Sequence, residues 1–473
     1  MKLFFQNIDR FKSKVFYSVA NQTLALNPYV TDFPKEYFAK IERKANLFQF
    51  FKSIFVFFFK MSIKLSIFTL QKIIFSIFWN KNLKVENMII DTFVLVKQVI
   101  ENGKYEDNYL KGLYPVLDKK NIKYSYLPRL YGLGFNPLKF IQLLNILKKE
   151  DKNFIFEYQL ISYLDIFKIH FQIFLYPFQT LSLLQKDDKL FNFHLIQDIA
   201  KQDLVAFTRY FIGKKLASFK DIEKIISWSE FQVIERAFNF GYRSNNGNGK
   251  ISGTQFYLSY PNYFNTFVSE KDNEILSSPH QILVNGKYYL RNSLYKMGVA
   301  LRYENLFKFE KNSEPRNKIL LLTSYLKPET KQMIEFCKGL DLEIKLHPTQ
   351  KPSDFQIPSN FKLVSGDLYP FFQTSKIVIT TGSGTAVEAV AVGVSVIIIE
   401  SQTNLTSNPL IDFGKGEIWE SVKTADEVLV QIQKLSDFRE NNPKRISEIA
   451  EFYKDNFFIE PTEKTIIQVF NLE

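Results

Sequence analysis

The chain has 473 residues, of which 46% are hydrophobic, and it carries a net charge of +12. This length exceeds a single ordinary hydrophobic core, so we expect two domains, and the composition excludes a disordered protein. The basic charge favours a polyanionic partner. However, the sequence contains no helix-turn-helix pattern, zinc-ligand spacing or dense arginine patch, which argues against nucleic acid. The single cysteine, Cys337, excludes an intrachain disulfide.

Residues 1–85 are predicted to form a mostly helical N-terminal segment without a secretory signal, which indicates a cytoplasmic protein. The apolar stretch 46–79 is interrupted by four lysines, Lys52, Lys60, Lys64 and Lys72. Its longest uncharged run is shorter than the ~20 residues of a membrane-spanning helix. In a helix the lysines would form a broad polar face opposite an aromatic one. Two interpretations remain open: the helix packs on the first domain, or it makes peripheral contact with the inner face of the cytoplasmic membrane.

From Glu86 onwards, strand patterns alternate with helical ones. We predict strands over 88–96 and 123–127, the second ending at Pro128, and helices over 107–119 and 137–149. The stretch from about 159 to 226 is again predicted to be helical. Such alternation is typical of a parallel α/β sheet, and we assign residues 86–310 to a first Rossmann-like domain.

The second half alternates more clearly. We predict strands at 318–323, 342–346, 376–380 and 394–399 and helices at 328–339 and 385–392. Residues 311–459 are therefore assigned to a second Rossmann-like domain, and we expect a last helix within 460–473 to cross back onto the first domain.

The loop after the strand 376–380 has the composition of a phosphate-binding site. Its backbone and hydroxyl donors are Thr380, Thr381, Gly382, Ser383, Gly384 and Thr385. Glycines let the backbone approach an anion closely, and the start of the following helix favours negative charge. The loop differs from the dinucleotide fingerprint, because Val387 occupies the third glycine position, and no Gly-Lys-Ser/Thr of a P-loop follows.

His347 and Pro348 directly follow the strand 342–346. Open α/β sheets bind ligands at the carboxyl ends of their strands, so this histidine is placed to donate a hydrogen bond to a phosphate. We expect it to act together with the hydroxyl-rich loop.

The pattern Lys345-Leu-His-Pro348, the hydroxyl-rich loop and Glu388 together resemble the donor half of GT-B glycosyltransferases. They are most similar to bacterial enzymes with cytidine-nucleotide donors: sialyltransferases, capsule Kdo transferases and polyglycerol-phosphate polymerases. The resemblance implies a GT-B-like α/β fold of two facing Rossmann-like domains, with the acceptor bound by the first. It also implies that His347, Pro348 and the loop hold a CMP moiety and that Glu388 meets a ribose or sugar hydroxyl.

A second resemblance lies in the middle of the chain. Six segments are similar to surface-carbohydrate biosynthesis proteins of bacterial O-antigen and capsule loci, and the similarity spans about residues 88–420. They are Asp91–Phe93, Tyr105–Leu110, Trp228–Arg243, Gly253–Phe256, Val284–Gly286 and Gly298–Tyr303. The segment after Gln255 departs from related capsule enzymes, because it lacks the histidine that follows this glutamine in them. Any role at that position is therefore open.

An inverting transferase needs a carboxylate to remove the proton of the acceptor hydroxyl. Glu230 is the first candidate, because it follows an aromatic residue in an apolar stretch that would raise its pKa. Other carboxylates remain alternatives: Glu235, Glu157 and Asp91. Three arginines are candidates for binding the anionic groups of the acceptor or the donor: Arg236, Arg243 and Arg302.

The sequence favours a glycosyltransferase that extends lipopolysaccharide O-antigen or capsule, with a CMP-linked Kdo or nonulosonic acid as donor and a glycan or lipid-linked glycan as acceptor. No cofactor or metal site is expected, because the chain's four histidines lack metal-ligand spacing. Two alternatives stay open. One is an enzyme with a UDP-sugar, GDP-sugar or CDP-glycerol donor, and the other is a non-catalytic scaffold with a degenerate transferase fold.

Overall fold

The computed structural model describes residues 8–9, 33–258, 268–310, 316–403, 406 and 408–473. Its strands, numbered β1 to β12 in chain order, are Met88–Leu95, Tyr124–Tyr131, Lys224–Trp228, Lys250–Thr254, Gln281–Val284, Tyr295–Met297, Lys318–Leu322, Leu342–Lys345, Phe361–Leu363, Ser375–Thr380, Ser395–Ile399 and Trp419–Val422. Its α-helices, numbered α1 to α18, are Phe33–Phe38, Leu47–Phe78, Val96–Asn102, Tyr114–Lys119, Pro137–Lys149, Glu157–Leu160, Tyr163–Leu181, Lys189–Lys201, Leu204–Leu216, Val233–Arg243, Glu270–Glu274, Glu304–Phe307, Lys327–Phe336, Tyr369–Thr374, Thr385–Ala391, Ala425–Asn441, Pro443–Phe457 and Glu463–Phe470.

The strands form two parallel six-stranded sheets. The first has the order β2-β1-β3-β4-β5-β6, and the second has the order β12-β11-β10-β7-β8-β9. Each order reverses once, between β1 and β3 in the first sheet and between β7 and β10 in the second. The second order is that of the Rossmann fold, and ligands of such sheets bind outside the carboxyl ends of the strands at the reversal. The α/β class and the two Rossmann-like domains of a GT-B-like fold are confirmed.

The carboxyl edges of the two sheets face each other. Leu258, in the segment after β4, approaches Gly384 in the loop after β10, where an added Cβ would lie 3.4 Å from the Leu258 Cβ. Buried side chains of both domains, among them Ile282 and Val284 of the first and Val387 and Val390 of the second, belong to one hydrophobic cluster. The loops of both edges therefore border a shared cleft.

The C-terminal helix α18 packs on the first domain. Its buried side chains Ile466 and Phe470 join a cluster with Ile90 of β1 and Leu117 of α4. Beyond the helix, the Lys224 ammonium of β3 donates to the carbonyl oxygen of Asn471 at 2.9 Å. The end of the chain thus ties the two domains together.

Two predicted elements differ from the structure. The helix predicted over 107–119 begins only at Tyr114, because the Asp107 carboxylate accepts the Tyr109 and Leu110 backbone N–H groups and fixes a loop there. The second predicted strand does not end at Pro128 but continues to Tyr131. Its strand, β2, lies at the edge of the sheet, where a proline costs no ladder hydrogen bond.

The predicted polar face of the 46–79 helix is also wrong. In α2, three of the four lysines turn towards the first domain: Lys60 donates to the Ala200 carbonyl oxygen, Lys72 donates to the Tyr158 carbonyl oxygen, and Lys64 pairs with Asp203. The outer side of the helix consequently carries exposed phenylalanines, while three others are buried against the domain, namely Phe57, Phe68 and Phe75. Burying each ammonium is offset by its hydrogen bond.

Phe470→Ala should destabilise the protein by about 3 kcal/mol, because it leaves a cavity in a buried cluster. Urea unfolding with an exposed control from the same helix, Gln468→Ala, measures the difference. Equal stability of the two variants would show that α18 contributes no packing energy to the first domain.

Candidate functional site

Three adjacent strands of the second sheet, β8, β7 and β10, end beside one another. Thr323, directly after β7, accepts the backbone N–H of His347 through its Oγ1 at 2.9 Å. Thr380, at the end of β10, donates from its Oγ1 to the Leu322 carbonyl oxygen at 3.1 Å. His347 and the hydroxyl-rich loop therefore flank the end of β7, about 10 Å apart by strand spacing. This is the point at which the strand order of the second sheet reverses.

The hydrogen bonds of His347 determine its tautomer. Its Nδ1 accepts the Thr349 backbone N–H at 3.3 Å and lies 2.8 Å from the Thr349 Oγ1. Burial, followed by the Lys345 charge, lowers the pKa of the imidazole. The ring is therefore neutral at pH 7 with its proton on Nε2, and it can donate one hydrogen bond to an anion.

Within the loop 380–385, the donors divide into two groups. The Thr380 and Thr381 side chains are buried, whereas Gly382, Ser383, Gly384 and Thr385 are half-buried. The Ser383 Oγ lies 2.8 Å from the Thr385 Oγ1, and helix α15 begins at this point. The exposed part of the loop thus presents the hydroxyls of Ser383 and Thr385. The first N–H groups of α15 are bonded within the loop, that of Thr385 to the Ser383 Oγ and that of Ala386 to the Ser383 carbonyl oxygen.

The first sheet carries the catalytic candidate at its own reversal point. Glu230 follows β3, is half-buried, and accepts a hydrogen bond from the Gln232 Nε2 at 2.6 Å. Burial, with a smaller contribution from the Glu235 carboxylate, raises the pKa of Glu230 to about 7. The next residue, Phe231, has φ of 57°. Such a backbone is strained for a phenylalanine and is most often found at functional sites.

Arg302 connects the two sides of the cleft. It is exposed, its Nη1 donates to the Phe256 carbonyl oxygen at 3.1 Å, and its guanidinium lies 5.8 Å from the Tyr109 ring centre. Partial desolvation of the guanidinium lowers its pKa, but the charges of Tyr303, Glu388, Tyr109 and Glu230 raise it overall. The Glu230 carboxylate of the first domain and the Glu388 carboxylate of the second are thus both near enough for their charges to act on Arg302.

Glu388 lies on α15 and is buried. Its Oε2 accepts the Tyr369 hydroxyl at 2.8 Å, and the Arg302 charge acts on the same carboxylate. Burial raises its pKa, and Tyr369 and Arg302 oppose that rise. A hydroxyl of a ligand would therefore compete with Tyr369 for this carboxylate.

Two of the alternative carboxylates, Asp91 and Glu235, are paired with buried arginines, and the third, Glu157, has a different charge partner from Glu230. Asp91 is fully buried and bound by Arg129 and Arg209, which lower its pKa to about 2 against the effect of burial. Glu235 is buried and pairs with Arg129. Burial raises the pKa of Glu157 to about 7, but it interacts with Arg209 and not with the cleft arginine Arg302.

Two predicted arginines are engaged within the first domain. Arg236 is fully buried on α10 with its guanidinium 5.4 Å from the Phe231 ring centre. Arg243 donates to the Ser278 carbonyl oxygen at 2.9 Å and to Asn273 at 3.0 Å. Of the three arginines, Arg302 is the one that the structure places beside Glu230 and Glu388. Pro348 is exposed next to His347.

The prediction from sequence missed an aromatic wall beside Glu230. Trp228 makes edge contacts with Phe93 at 5.0 Å, with Tyr109 at 4.3 Å and a tilted contact with Phe256 at 5.2 Å between ring centres. The Asp107 carboxylate holds the Tyr109 loop by accepting hydroxyls of Thr92, Tyr105 and Tyr114. The signal in the sequence was the turn-forming Asp107 within Tyr105-Glu-Asp-Asn-Tyr109.

Among the residues that the structure describes, no group of three or more His, Cys, Asp or Glu side chains could hold a metal ion. The sole cysteine, Cys337, is buried, which raises its pKa to about 12. The raised pKa and burial of this thiol argue against a thiolate nucleophile at Cys337.

No family model and no curated protein matches the chain. Among solved structures, it is similar to UDP-GlcNAc 2-epimerase from Neisseria meningitidis bound to UDP-GlcNAc, with 11% identity, a TM-score of 0.44, and coverage of 82% of this chain and 100% of that one. MurG from Acinetobacter baumannii has 10% identity and a TM-score of 0.43, with coverage of 82% and 100%. The Methanocaldococcus jannaschii UDP-GlcNAc 2-epimerase in complex with UDP-GlcNAc and UDP has 11% identity and a TM-score of 0.45, also with coverage of 82% and 100%.

Glu230 should make the stability of the protein depend on pH. Its pKa is higher in the folded chain, at about 7, than in the unfolded one, so its contribution to the free energy of unfolding is complete below the unfolded value and is lost as pH rises through about 7. Glu230→Gln lacks this loss and should become more stable relative to the wild type between pH 5 and pH 8. Parallel curves of unfolding free energy against pH for the two proteins would contradict the shifted pKa.

Proposed function

We propose that the chain is a metal-independent, inverting glycosyltransferase of cell-surface polysaccharide biosynthesis, acting on lipopolysaccharide O-antigen or capsule. The observation that carries the proposal is one cleft with two complementary sides. On one side stands Glu230, whose pKa of about 7 suits a general base. On the other side stand anion donors at the Rossmann reversal point, namely His347 and the loop 382–385.

In the proposed reaction, a nucleotide sugar binds to the second domain with its phosphate between His347 and the loop. Glu230 takes the proton from the acceptor hydroxyl while the acceptor oxygen bonds to the anomeric carbon, and the bond from that carbon to the phosphate oxygen breaks. The leaving nucleotide takes the electron pair. The His347 Nε2–H and the Ser383 and Thr385 hydroxyls stabilise this charge, because they are fixed in place before the reaction.

Arg302 and the aromatic wall complete the proposed site. Arg302 lies where donor and acceptor meet, so its charge would offset negative charge on either of them. The edge formed by Tyr109 and Phe93 beside Glu230 offers an apolar surface for the glycan acceptor or lipid-linked glycan acceptor.

The favoured donor is a CMP-linked Kdo or nonulosonic acid, because the His-Pro pair and the hydroxyl-rich loop resemble the sites that hold CMP. A UDP-sugar, a GDP-sugar or CDP-glycerol is the second class, since phosphate recognition by the described residues does not depend on the base. We further propose a cytoplasmic location with peripheral membrane contact through 46–79.

Calorimetric titration with CMP, CDP, UDP, GDP and UDP-GlcNAc separates these donor classes. Tight binding of CMP with weak binding of the others is expected for the favoured donor, and His347→Ala should weaken it about 10-fold or more by removing a charge-directed hydrogen bond. Binding of UDP or UDP-GlcNAc in its place would select the second class. Failure of every nucleotide to bind would contradict the proposed donor site.

Glu230→Gln should lower kcat by about 100-fold to 10,000-fold with nucleotide affinity retained, because it removes a base and not a donor contact. In the wild type, kcat/KM should rise with pH through about 7 as Glu230 ionises. The exposed substitution Glu274→Gln, on helix α11, is the matched control. Polysaccharide synthesis that survives both Glu230→Gln and His347→Ala would instead favour a non-catalytic scaffold.

A further inference from the structure

Helix α2 buries one side and exposes a continuous aromatic one. It is 32 residues long with a mean hydropathy of 1.7 over its most apolar window, which is long and apolar enough to cross a membrane. A stripe from Phe57 to Phe75 is buried against the first domain. On the opposite side four phenylalanines keep 60% to 73% of their surface exposed, Phe48, Phe51, Phe55 and Phe59.

A second helix, α7, continues this surface. Its outer side carries apolar residues with alternating spacings of three and four, all between 52% and 69% exposed, Leu164, Phe167, Phe171, Phe174 and Phe178. The Phe174 ring lies 6.2 Å from the Phe58 ring of α2, so the two apolar sides adjoin. The acidic residue of α7, Asp165, is buried and bonded to Ser162 and Lys215.

A loop extends the surface to the cleft. Phe135, in the loop after β2, and Leu138, in the first turn of α5, are 61% and 78% exposed. The Gln71 Nε2 of α2 donates to the Gly134 carbonyl oxygen of this loop at 3.2 Å. We call the exposed apolar sides of α2 and α7, with this loop, the docking face. Because β2 ends at the same carboxyl edge as β3, the docking face lies on the Glu230 side of the cleft.

The charges that α2 and its flanking residues carry are of one sign. From Lys44 to Val85 the sequence contains lysines but no Asp or Glu. Lys60, Lys64 and Lys72 are turned towards the domain, whereas Lys44, Lys52 and Lys81 are exposed. An apolar surface bordered by exposed lysines matches a membrane with anionic headgroups, where acyl chains accept the aromatic rings and the headgroups attract the ammonium groups.

We propose that the docking face binds the surface of an anionic membrane with α2 and α7 lying in the plane of the interface. The inward lysines decide against α2 spanning the membrane, because a spanning helix would leave their hydrogen-bond partners Ala200 and Tyr158 and take the ammonium groups into lipid. Together the exposed rings exceed the scattered single apolar residues of ordinary soluble surfaces. The proposal goes beyond the contact through 46–79 and does not depend on the transferase reaction.

The test is flotation of the full chain with vesicles of phosphatidylglycerol and phosphatidylcholine, and of phosphatidylcholine alone. The double variant Phe167→Ser/Phe171→Ser removes two exposed rings of α7 and changes no residue of α2 or of the cleft. Its partition onto anionic vesicles should fall about 10-fold or more, since each ring loses much of its apolar burial. The matched control is Leu429→Ser/Val430→Ser, an equally exposed apolar pair on α16, which should bind as the wild type does.

Four results would overturn the proposal. The first two are an α7 variant that binds vesicles as well as the wild type does, and a control variant that loses as much vesicle binding as the α7 variant. The third is bound wild-type protein that resists carbonate extraction, as a membrane-spanning helix would. The fourth is a soluble dimer of the wild type that the α7 substitutions dissociate. The proposal is supported if the wild type binds anionic vesicles more strongly than phosphatidylcholine vesicles and carbonate releases it from them. It also requires that the α7 variant, and not the control, loses this binding. Circular dichroism of both variants keeps misfolding separate from lost binding.

Discussion

The rest of the structure depends on one constraint: the carboxyl ends of the strands in both sheets face each other across one cleft. Both sheets reverse their strand order at a point from which side chains reach this cleft, and Leu258 and Gly384 hold the edges in contact. A carboxylate of each domain, Glu230 and Glu388, acts through its charge on Arg302. The helix α18 keeps this arrangement closed from the other end of the chain, because it belongs to the core of the first domain while following directly from the second.

Several charged side chains of the first domain are buried next to the turn that carries the proposed base, Glu230. Arg129 binds Asp91, Glu235 and the Trp228 carbonyl oxygen, and Glu235 in turn accepts the Gln232 backbone N–H at 2.8 Å. Buried ion pairs of this kind contribute little net stability, since desolvation offsets the attraction. Their position at both ends of the turn 229–232 instead fixes the strained backbone that presents Glu230, and the Glu235 charge contributes to its raised pKa.

The fold class could be predicted from the sequence, because hydrophobic β-branched runs such as Val394–Ile399 indicate buried parallel strands. It also placed His347 and the loop 380–385 at strand ends, which strand order then brought together. The strands β3 and β4 were not recognised, because each is short and β4 consists largely of polar and small residues, Lys250–Thr254. Helical periodicity could not predict that Lys60, Lys64 and Lys72 point towards the first domain. Their direction depends on carbonyl and carboxylate groups more than 80 residues away in the sequence. Tyr109 and Trp228 meet only through tertiary packing.

The central claim is that a nucleotide phosphate binds between His347 and the loop 382–385, opposite Glu230. Crystals soaked with CMP, and in parallel with UDP, test it most directly. We predict density for the phosphate within hydrogen-bond distance of the His347 Nε2 and of the Ser383 or Thr385 hydroxyl, with the nucleotide on the second domain. Density for the phosphate elsewhere, with this cleft empty, would contradict the assignment.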